Sequence, residues 1–307
     1  MSTVTGRFAP TPSGRLHLGN ILCAMIAWLS VRSRGGRFLL RIEDVDVPRC
    51  PRPAGEQILR DMEALGFDWD EAPLWQSERS HLYHEAMDSL AAAGLVYPCF
   101  CTRAKLHSMA APNLGDTQYV YDRSCASLTA EDIAVLRQQR SPSLRLRVPD
   151  EEISFTDRVY GQYTENILRD CGDFVLQRSD GLYGYQLAVV VDDALSGVTE
   201  VVRGRDILSA TPRQLVLQRD LGYPQPEYAH IPLLLDTDGR RLAKRDHDLD
   251  VDVLLSRHTK EEILGVLAAS CGLLDRPEPV SLQALIPLFD WKKLGTSDMT
   301  LARSLRP

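Results

Sequence analysis

Residues Arg7 to Asn20 read RFAPTPSGRLHLGN: two prolines, two glycines and a His-Leu-Gly step within 14 residues, immediately before an apolar run. Pro10 and Pro12 forbid helix and force a rigid, extended approach, while Ser13 and Gly14 permit a turn that brings backbone close to a ligand. The spacing of Leu18, Ile21, Leu22, Met25, Ile26 and Leu29 fits a period of 3.6 and predicts a helix starting near His17. His17 and Gly19 then fall in its first turn, where unpaired N–H groups and the positive dipole end attract phosphate. A small residue at position 19 lets an adenine or ribose pack against the helix. The stretch reads as a nucleotide site, against the blander reading of a proline-rich loop with a capping histidine.

Outward from this stretch, Arg37 to Ile42 (RFLLRI) predicts a strand running into Glu43, Asp44 and Asp46. In an open α/β sheet, ligands sit beyond the carboxyl ends of strands, where Glu43 falls. Pro48 to Pro53 breaks the chain, and Gly55–Leu65 and Ser77–Ala93 predict packing helices of a doubly wound sheet. Leu144–Phe155 and Asp173–Gln177 predict strands, the latter turning at Ser179-Asp180-Gly181. Tyr183–Val191 (with YQLAVVVDD) reads as a buried strand that opens a second Rossmann half, because its apolar run is β-branched and nearly continuous. Val198–Val202 predicts a strand, Thr211–Leu221 a helix with Pro212 in its first turn, and His230–Leu235 a last strand. Asp238-Gly239 then turns the chain into RRLAKR (240–245), a basic loop that alone reads as solvated surface or RNA contact. Helical spacing returns at Ile263, Leu264, Leu267 and Ala268.

Residues 97–125 differ in character. Cys99-Phe100-Cys101 precedes a loop that ends at Tyr121-Asp122-Arg123-Ser124-Cys125. Three thiols with one short spacing, closed by a fourth ligand after a loop, suit a structural tetrahedral zinc, with Tyr121 or His107 eligible as the fourth ligand. Seven cysteines, odd in number and unevenly spaced, fit reduced thiols or a metal better than a disulfide framework.

At 307 residues, with 25% charged side chains, the chain has ordinary globular composition and room for two units. No apolar run approaches the roughly 20 residues of a membrane span, and a motif beginning at Arg7 leaves no room for a secretory leader, so a cytoplasmic protein is expected. The net charge of −7 argues weakly against a nucleic-acid partner. Local arginine clusters at 137–147 and 240–245 keep that option open.

The string P-x-P-S-G-x-x-H-L-G resembles the HIGH signature of class I aminoacyl-tRNA synthetases, and the leading Arg-Phe-Ala-Pro resembles the glutamyl and glutaminyl branch. Asn20 stands where that signature ends in histidine, which leaves His17 as the motif's imidazole. The basic loop resembles a degraded KMSKS loop: Lys244 keeps the central lysine, Arg241 replaces the first lysine, and Ala243 and Arg245 replace the serines. The glutamyl-Q-tRNA(Asp) synthetases carry a C-x-C followed by Tyr-x-x-x-Cys, which Cys99, Cys101, Tyr121 and Cys125 match residue by residue. The match covers residue 7 to about 250. A glutamyl-tRNA synthetase would carry a large anticodon-binding region after the loop, and Leu249–Pro307 is too short for one, so the resemblance narrows to the glutamyl-Q family.

That resemblance implies an α/β fold: a Rossmann-type parallel sheet with an inserted zinc-bearing subdomain and a small helical C-terminal region. The expected divisions are 1–96, 97–182, 183–247 and 248–307. It implies L-glutamate at Arg7, Ala9, Thr11, Glu43, Tyr185 and Arg203. ATP is implied at Pro10, His17, Gly19, Asn20, Arg241 and Lys244, with His17 and Lys244 catalytic. Structural zinc and ATP-borne magnesium are the implied metals, and tRNA(Asp) bearing queuosine is the acceptor, gripped through 137–147 and 240–245 by a protein expected to be monomeric. Three alternatives remain at this point. They are a truncated glutamyl-tRNA synthetase charging a 3′ end, a non-catalytic RNA-binding paralogue, and a pantothenate-synthetase-like ligase, the last of which would not need Arg7 and Glu43 together.

Overall fold

The computed structural model describes residues 3–102, 120–236, 238–239, 250–302 and 305. The first half runs β1 (Thr5–Phe8), α1 (Leu18–Arg32), β2 (Arg37–Ile42), α2 (Arg52–Ala64), β3 (Leu74–Trp75), α3 (Ser80–Ala92) and β4 (Val96–Cys99). Then come α4 (Ala130–Gln139), β5 (Ser143–Leu146), β6 (Glu152–Asp157), β7 (Gly161–Asn166), β8 (Val175–Gln177) and α5 (Tyr185–Leu195). The chain closes with β9 (Glu200–Gly204), α6 (Thr211–Leu221), β10 (Glu227–Ile231), β11 (Leu234–Leu235), α7 (Val251–Leu255), α8 (Lys260–Ser270), α9 (Leu282–Leu285) and β12 (Met299–Thr300).

A seven-stranded sheet of order β3-β2-β1-β9-β10-β6-β7 forms the centre, parallel throughout except for the antiparallel edge strand β7. Strand β1 lies between β2 and β9, so the order reverses at β1/β9, the position at which doubly wound sheets open a crevice for ligands. A separate antiparallel sheet, β4-β5-β8, carries Cys99 at its edge. Strands β6 and β7 lie inside 97–182 but pair into the main sheet.

Alternation along the strands sorts side chains between two faces. Phe38, Leu40, Ile42, Val202, Ala229 and Ile231 join the core built on α1, α2 and the C-terminal helices. Leu39, Val201, Tyr228 and Phe155 pack on the other face, against Leu215 of α6. Arg7, Arg41, Arg203, His230 and Asp157 share the parity of this second face, so near the carboxyl ends of the strands its apolar layer gives way to a buried polar one.

Several boundaries differ from expectation for local reasons. Helix α2 starts at Arg52 rather than Gly55, because Pro53 fits a first turn whose N–H groups need no partner. Leu144–Phe155 splits at Pro149 into β5 and β6, which join different sheets, and Pro232 separates β10 from β11. The larger correction concerns YQLAVVVDD, expected as a strand: it is helix α5, with Leu187 to Asp193 all buried. A helix enclosed on every side loses its amphipathic period and reads as a continuous apolar run.

Gly184 caps α5, and a Cβ there would lie 2.6 Å from the Val175 carbonyl oxygen and 3.3 Å from that of Leu176. Backbone cannot yield as a side chain does. Gly184→Ala should therefore destabilise the protein by about 1–3 kcal/mol in urea titrations; an unchanged midpoint would show that α5 can slide on β8.

Candidate active site

A cavity of about 430 Å³ opens at the carboxyl end of the sheet, beside β1 and β9. Its lining includes Arg7, Ala9, Pro10, Thr11, His17, Gly19, Asn20, Glu43, Tyr185 and Arg203, so it gathers every expected substrate and nucleotide residue that lies among the described ones. Arg241 and Lys244 lie outside them. The flanks of their segment are at the cavity: Leu233 and Leu234 line it, and Asp250 bridges to His17.

His17 caps α1 in extended conformation. Its Nδ1 accepts from the Gly19 N–H at 3.2 Å, while the Asn20 side chain accepts from the His17 N–H at 3.2 Å. A Cβ on Gly19 would come within 3.1 Å of the His17 ring.

Beneath the cavity lies a charge network. Arg7 donates to both oxygens of Asp193 at 3.1 and 3.4 Å, and Arg41 donates to Asp193 at 2.5 Å and to Glu43 at 3.3 Å. Thr11 donates to the other Glu43 oxygen at 3.4 Å. Burial alone would raise Asp193, but Arg41 and Arg7 outweigh it and hold its carboxyl below the usual range. Burial prevails at Glu43 and pushes it up despite the same two arginines. Cys23 also lines the cavity, and burial pushes its thiol up to about 12, so it offers no thiolate nucleophile at neutral pH.

Arg203 is held differently. Its Nε donates to His230 Nε2 at 2.9 Å, its Nη1 to Gln214 at 2.8 Å and its Nη2 to Thr211 at 2.7 Å. His230 Nδ1 lies 2.6 Å from Asp157, which also accepts the His230 backbone N–H. Burial lowers His230 to about 4.

The cysteines converge away from the cavity. The sulfurs of Cys99, Cys101 and Cys125 lie within 4.8 Å of one another, the one such cluster among the described residues. The Cys101–Cys125 separation of 3.6 Å is close to the roughly 3.8 Å edge of a tetrahedron with Zn–S bonds of about 2.3 Å. The Tyr121 oxygen sits 3.4 Å from Cys99 Sγ and 3.9 Å from Cys101 Sγ, and accepts the Cys125 N–H at 2.9 Å. Arg145 stacks 3.9 Å from the Tyr121 ring centroid, a cation beside a donor set that turns anionic when it binds metal. These residues fit a zinc ion. His107, the other eligible ligand, lies outside the described residues.

Arg145 is consequently buried and donates to the Asp173 carbonyl, while Arg147 donates to Ala126. Arg145 is thereby committed to the cysteine-bearing sheet, whereas Arg147 remains exposed.

The family pattern for class I tRNA synthetases (E and Q), catalytic domain, fits residues 3–264. The glutamyl-Q tRNA(Asp) synthetase of Symbiobacterium thermophilum is 48% identical over 301 residues, which span 94% of this chain and 93% of the relative. That of Nitratidesulfovibrio vulgaris is 45% identical over 304 residues, spanning 95% and 94%. The chain belongs to the glutamyl-Q tRNA(Asp) synthetase family. The crystal structure of a glutamate-tRNA synthetase from Elizabethkingia anophelis superposes with a TM-score of 0.84 at 27% identity, covering 97% of this chain and 68% of that one. As in that structural class, the sheet is predominantly parallel and Rossmann-type. No described helix is long and apolar enough to cross a membrane.

Sequence reasoning for this family member missed Arg41, Asp193, Asp157 and His230. The available signals were polar residues inside predicted strands, Arg41 within RFLLRI and His230 opening HIPLLL.

Two measurements follow. Elemental analysis should give one zinc per chain, lost in the Cys99→Ser, Cys101→Ser double variant together with thermal stability; stoichiometric zinc surviving in that variant would contradict the cluster assignment. His230 titrates near 4 in the fold against 6.5 unfolded, and Asp157 is also lowered, chiefly because its bonds to His230 outweigh burial. Below 6.5 the unfolded chain binds more protons than the fold, so stability contributed at neutral pH drains away as pH falls. From His230 alone the loss between pH 6.5 and 4 should reach on the order of 3 kcal/mol in urea titrations.

Proposed function

We propose that the protein activates L-glutamate with ATP, without tRNA, and transfers it to the queuosine of tRNA(Asp). The observation that carries this reading is the convergence of Arg7, Arg203 and Glu43 on one cavity with the His17 helix terminus. A ligand with two carboxylates and one ammonium is matched by two guanidiniums and one acid, with Tyr185, Ala9 and Thr11 completing the wall. A glutamate carboxylate oxygen attacks the α-phosphorus of ATP, pyrophosphate leaves, and a glutamyl adenylate forms. This step needs in-line placement and positive charge rather than a protein nucleophile. The α1 N-terminus, Arg241 and Lys244 supply that charge, His17 donates a hydrogen bond, Pro10, Gly19 and Asn20 shape the nucleotide wall, and magnesium enters with ATP. A hydroxyl of the queuosine cyclopentenediol then attacks the glutamyl carbonyl and releases AMP. Zinc, held by Cys99, Cys101, Tyr121 and Cys125, supplies structural rigidity only.

The near end-to-end match to glutamyl-Q relatives favours queuosine over a tRNA 3′ end as acceptor. RNA contact falls to Arg137, Arg140, Arg147 and the 240–245 segment, and should be salt-sensitive.

Glutamate-dependent ATP–pyrophosphate exchange should proceed without tRNA and should favour glutamate over glutamine by about 30-fold or more, since glutamine leaves a buried guanidinium without its carboxylate, a cost of about 2 kcal/mol. With radiolabelled glutamate, label should require queuosine and persist after removal of the 3′-terminal adenosine. Label that needs the 3′ end and ignores queuosine would establish the truncated-synthetase reading instead.

A further inference from the structure

Arg7 and Arg203 lie on adjacent strands and open into the same cavity, yet their partners differ in kind. Arg7 meets a carboxylate, Asp193, through two nitrogens. Arg203 meets three neutral groups, and among the described residues no carboxylate contacts it. A guanidinium has only donors, so His230 Nε2 must accept from Arg203 Nε, and the imidazole proton must sit on Nδ1 and donate to Asp157. Protonation would place an N–H against an N–H, so the contact requires neutral imidazole. Asp157 spreads its oxygens: Oδ1 takes the Val159 and Tyr160 amides of the β6–β7 turn, each at 2.9 Å, Oδ2 takes the His230 ring, and both share the His230 backbone N–H, at 3.3 and 3.0 Å. The turn and strand pairing are served without the imidazole's far nitrogen. Holding Arg203 is a separate task.

We infer that His230 is a positioning residue: as a neutral imidazole oriented by Asp157, it fixes the Arg203 guanidinium while leaving its charge uncompensated for a substrate carboxylate. A direct carboxylate on Arg203 would hold it equally well but would compete with the ligand. With Nε, one Nη1 and one Nη2 proton committed to His230, Gln214 and Thr211, one N–H on each terminal nitrogen remains, a fork suited to a carboxylate.

This rests on the proposed glutamate pocket, and the test separates the two. His230→Asn keeps a donor for Asp157 but lacks the reach to accept from Arg203; His230→Gln keeps an acceptor at the Nε2 position but loses the Asp157 bond. In glutamate-dependent ATP–pyrophosphate exchange, His230→Asn should raise the KM for glutamate at least tenfold, His230→Gln should stay within about threefold, and both should leave the KM for ATP within about twofold. A merely structural role would move both KM values together, or rank the variants by their urea midpoints. Either result overturns the inference, as does an unchanged glutamate KM in His230→Asn. If that variant fails to fold, Thr211→Val, which removes another neutral acceptor at constant volume, must show the same selective rise. Arg203→Ala is the control: an unchanged glutamate KM there refutes the pocket itself, whereas a raised KM beside a normal His230→Asn refutes only the positioning role.

Discussion

The bifurcated grip of Asp193 on Arg7 and Arg41 is the contact on which the site depends. Two guanidiniums, 5% and 3% exposed, sit on a sheet face that elsewhere carries core residues, and no such charge persists there unpaired. Asp193 and Glu43 bring the local sum to zero. The compensating carboxylate comes from a helix and the arginines from strands β1 and β2, so the ion pairs also fix how α5 sits over the carboxyl ends of the sheet. Tyr185, first residue of that helix, is thereby placed at the cavity mouth. Removing one partner would leave a buried charge uncompensated, a penalty of about 3–5 kcal/mol in comparable systems.

The same strands explain why the opposite sides of the pocket differ electrostatically. On the Arg7 side, charge is matched within the protein, so a ligand there exchanges one set of charge-assisted bonds for another. On the Arg203 side, the guanidinium is held by neutral groups, with Asp157 behind the imidazole. In the proposed glutamate pocket, the substrate's excess negative charge is drawn to the second side and its ammonium to Glu43, a buried carboxylate. Orientation of the ligand thus follows from where the protein neutralises its own charge and where it does not.

Legibility in the sequence tracked how much each element revealed of its surroundings. Helix α1 was readable because its cap, glycine and apolar stripe agree, and β2 because six residues run straight into acids. Helix α6 was readable from Pro212 and its boundaries. Helix α5 was not, since a segment buried all round carries no periodic polar face, and its β-branched valines point the wrong way; tertiary burial overrode propensity. Arg41, Asp157 and His230 escaped notice for a related reason. A polar residue in a strand ordinarily marks a solvated face, and only the pairing of β2 with β1 and β3, and of β10 with β6 and β9, shows that these three are inside. Cys99, Cys101, Tyr121 and Cys125 were legible as a set, but not that Gly172, at φ +68° and close enough for a Cβ to reach the Tyr121 backbone N at 2.9 Å, makes room for the Tyr121 backbone that bridges to it.

Asn20 shows how a departure in a motif can preserve its chemistry. The position that ends the HIGH signature in histidine here carries an amide, which would look like the loss of an imidazole. Its side chain instead closes a capping box on the His17 N–H, and the reciprocal bond runs from Gly19 N–H to His17 Nδ1. A ring nitrogen that accepts from backbone cannot also carry a proton, so neutral His17 bears its hydrogen on Nε2. The imidazole that lines the cavity is therefore fixed as a donor. A triphosphate offers only acceptors, so this tautomer suits it, and it is set by the Gly19 N–H at the start of α1 rather than by a second histidine.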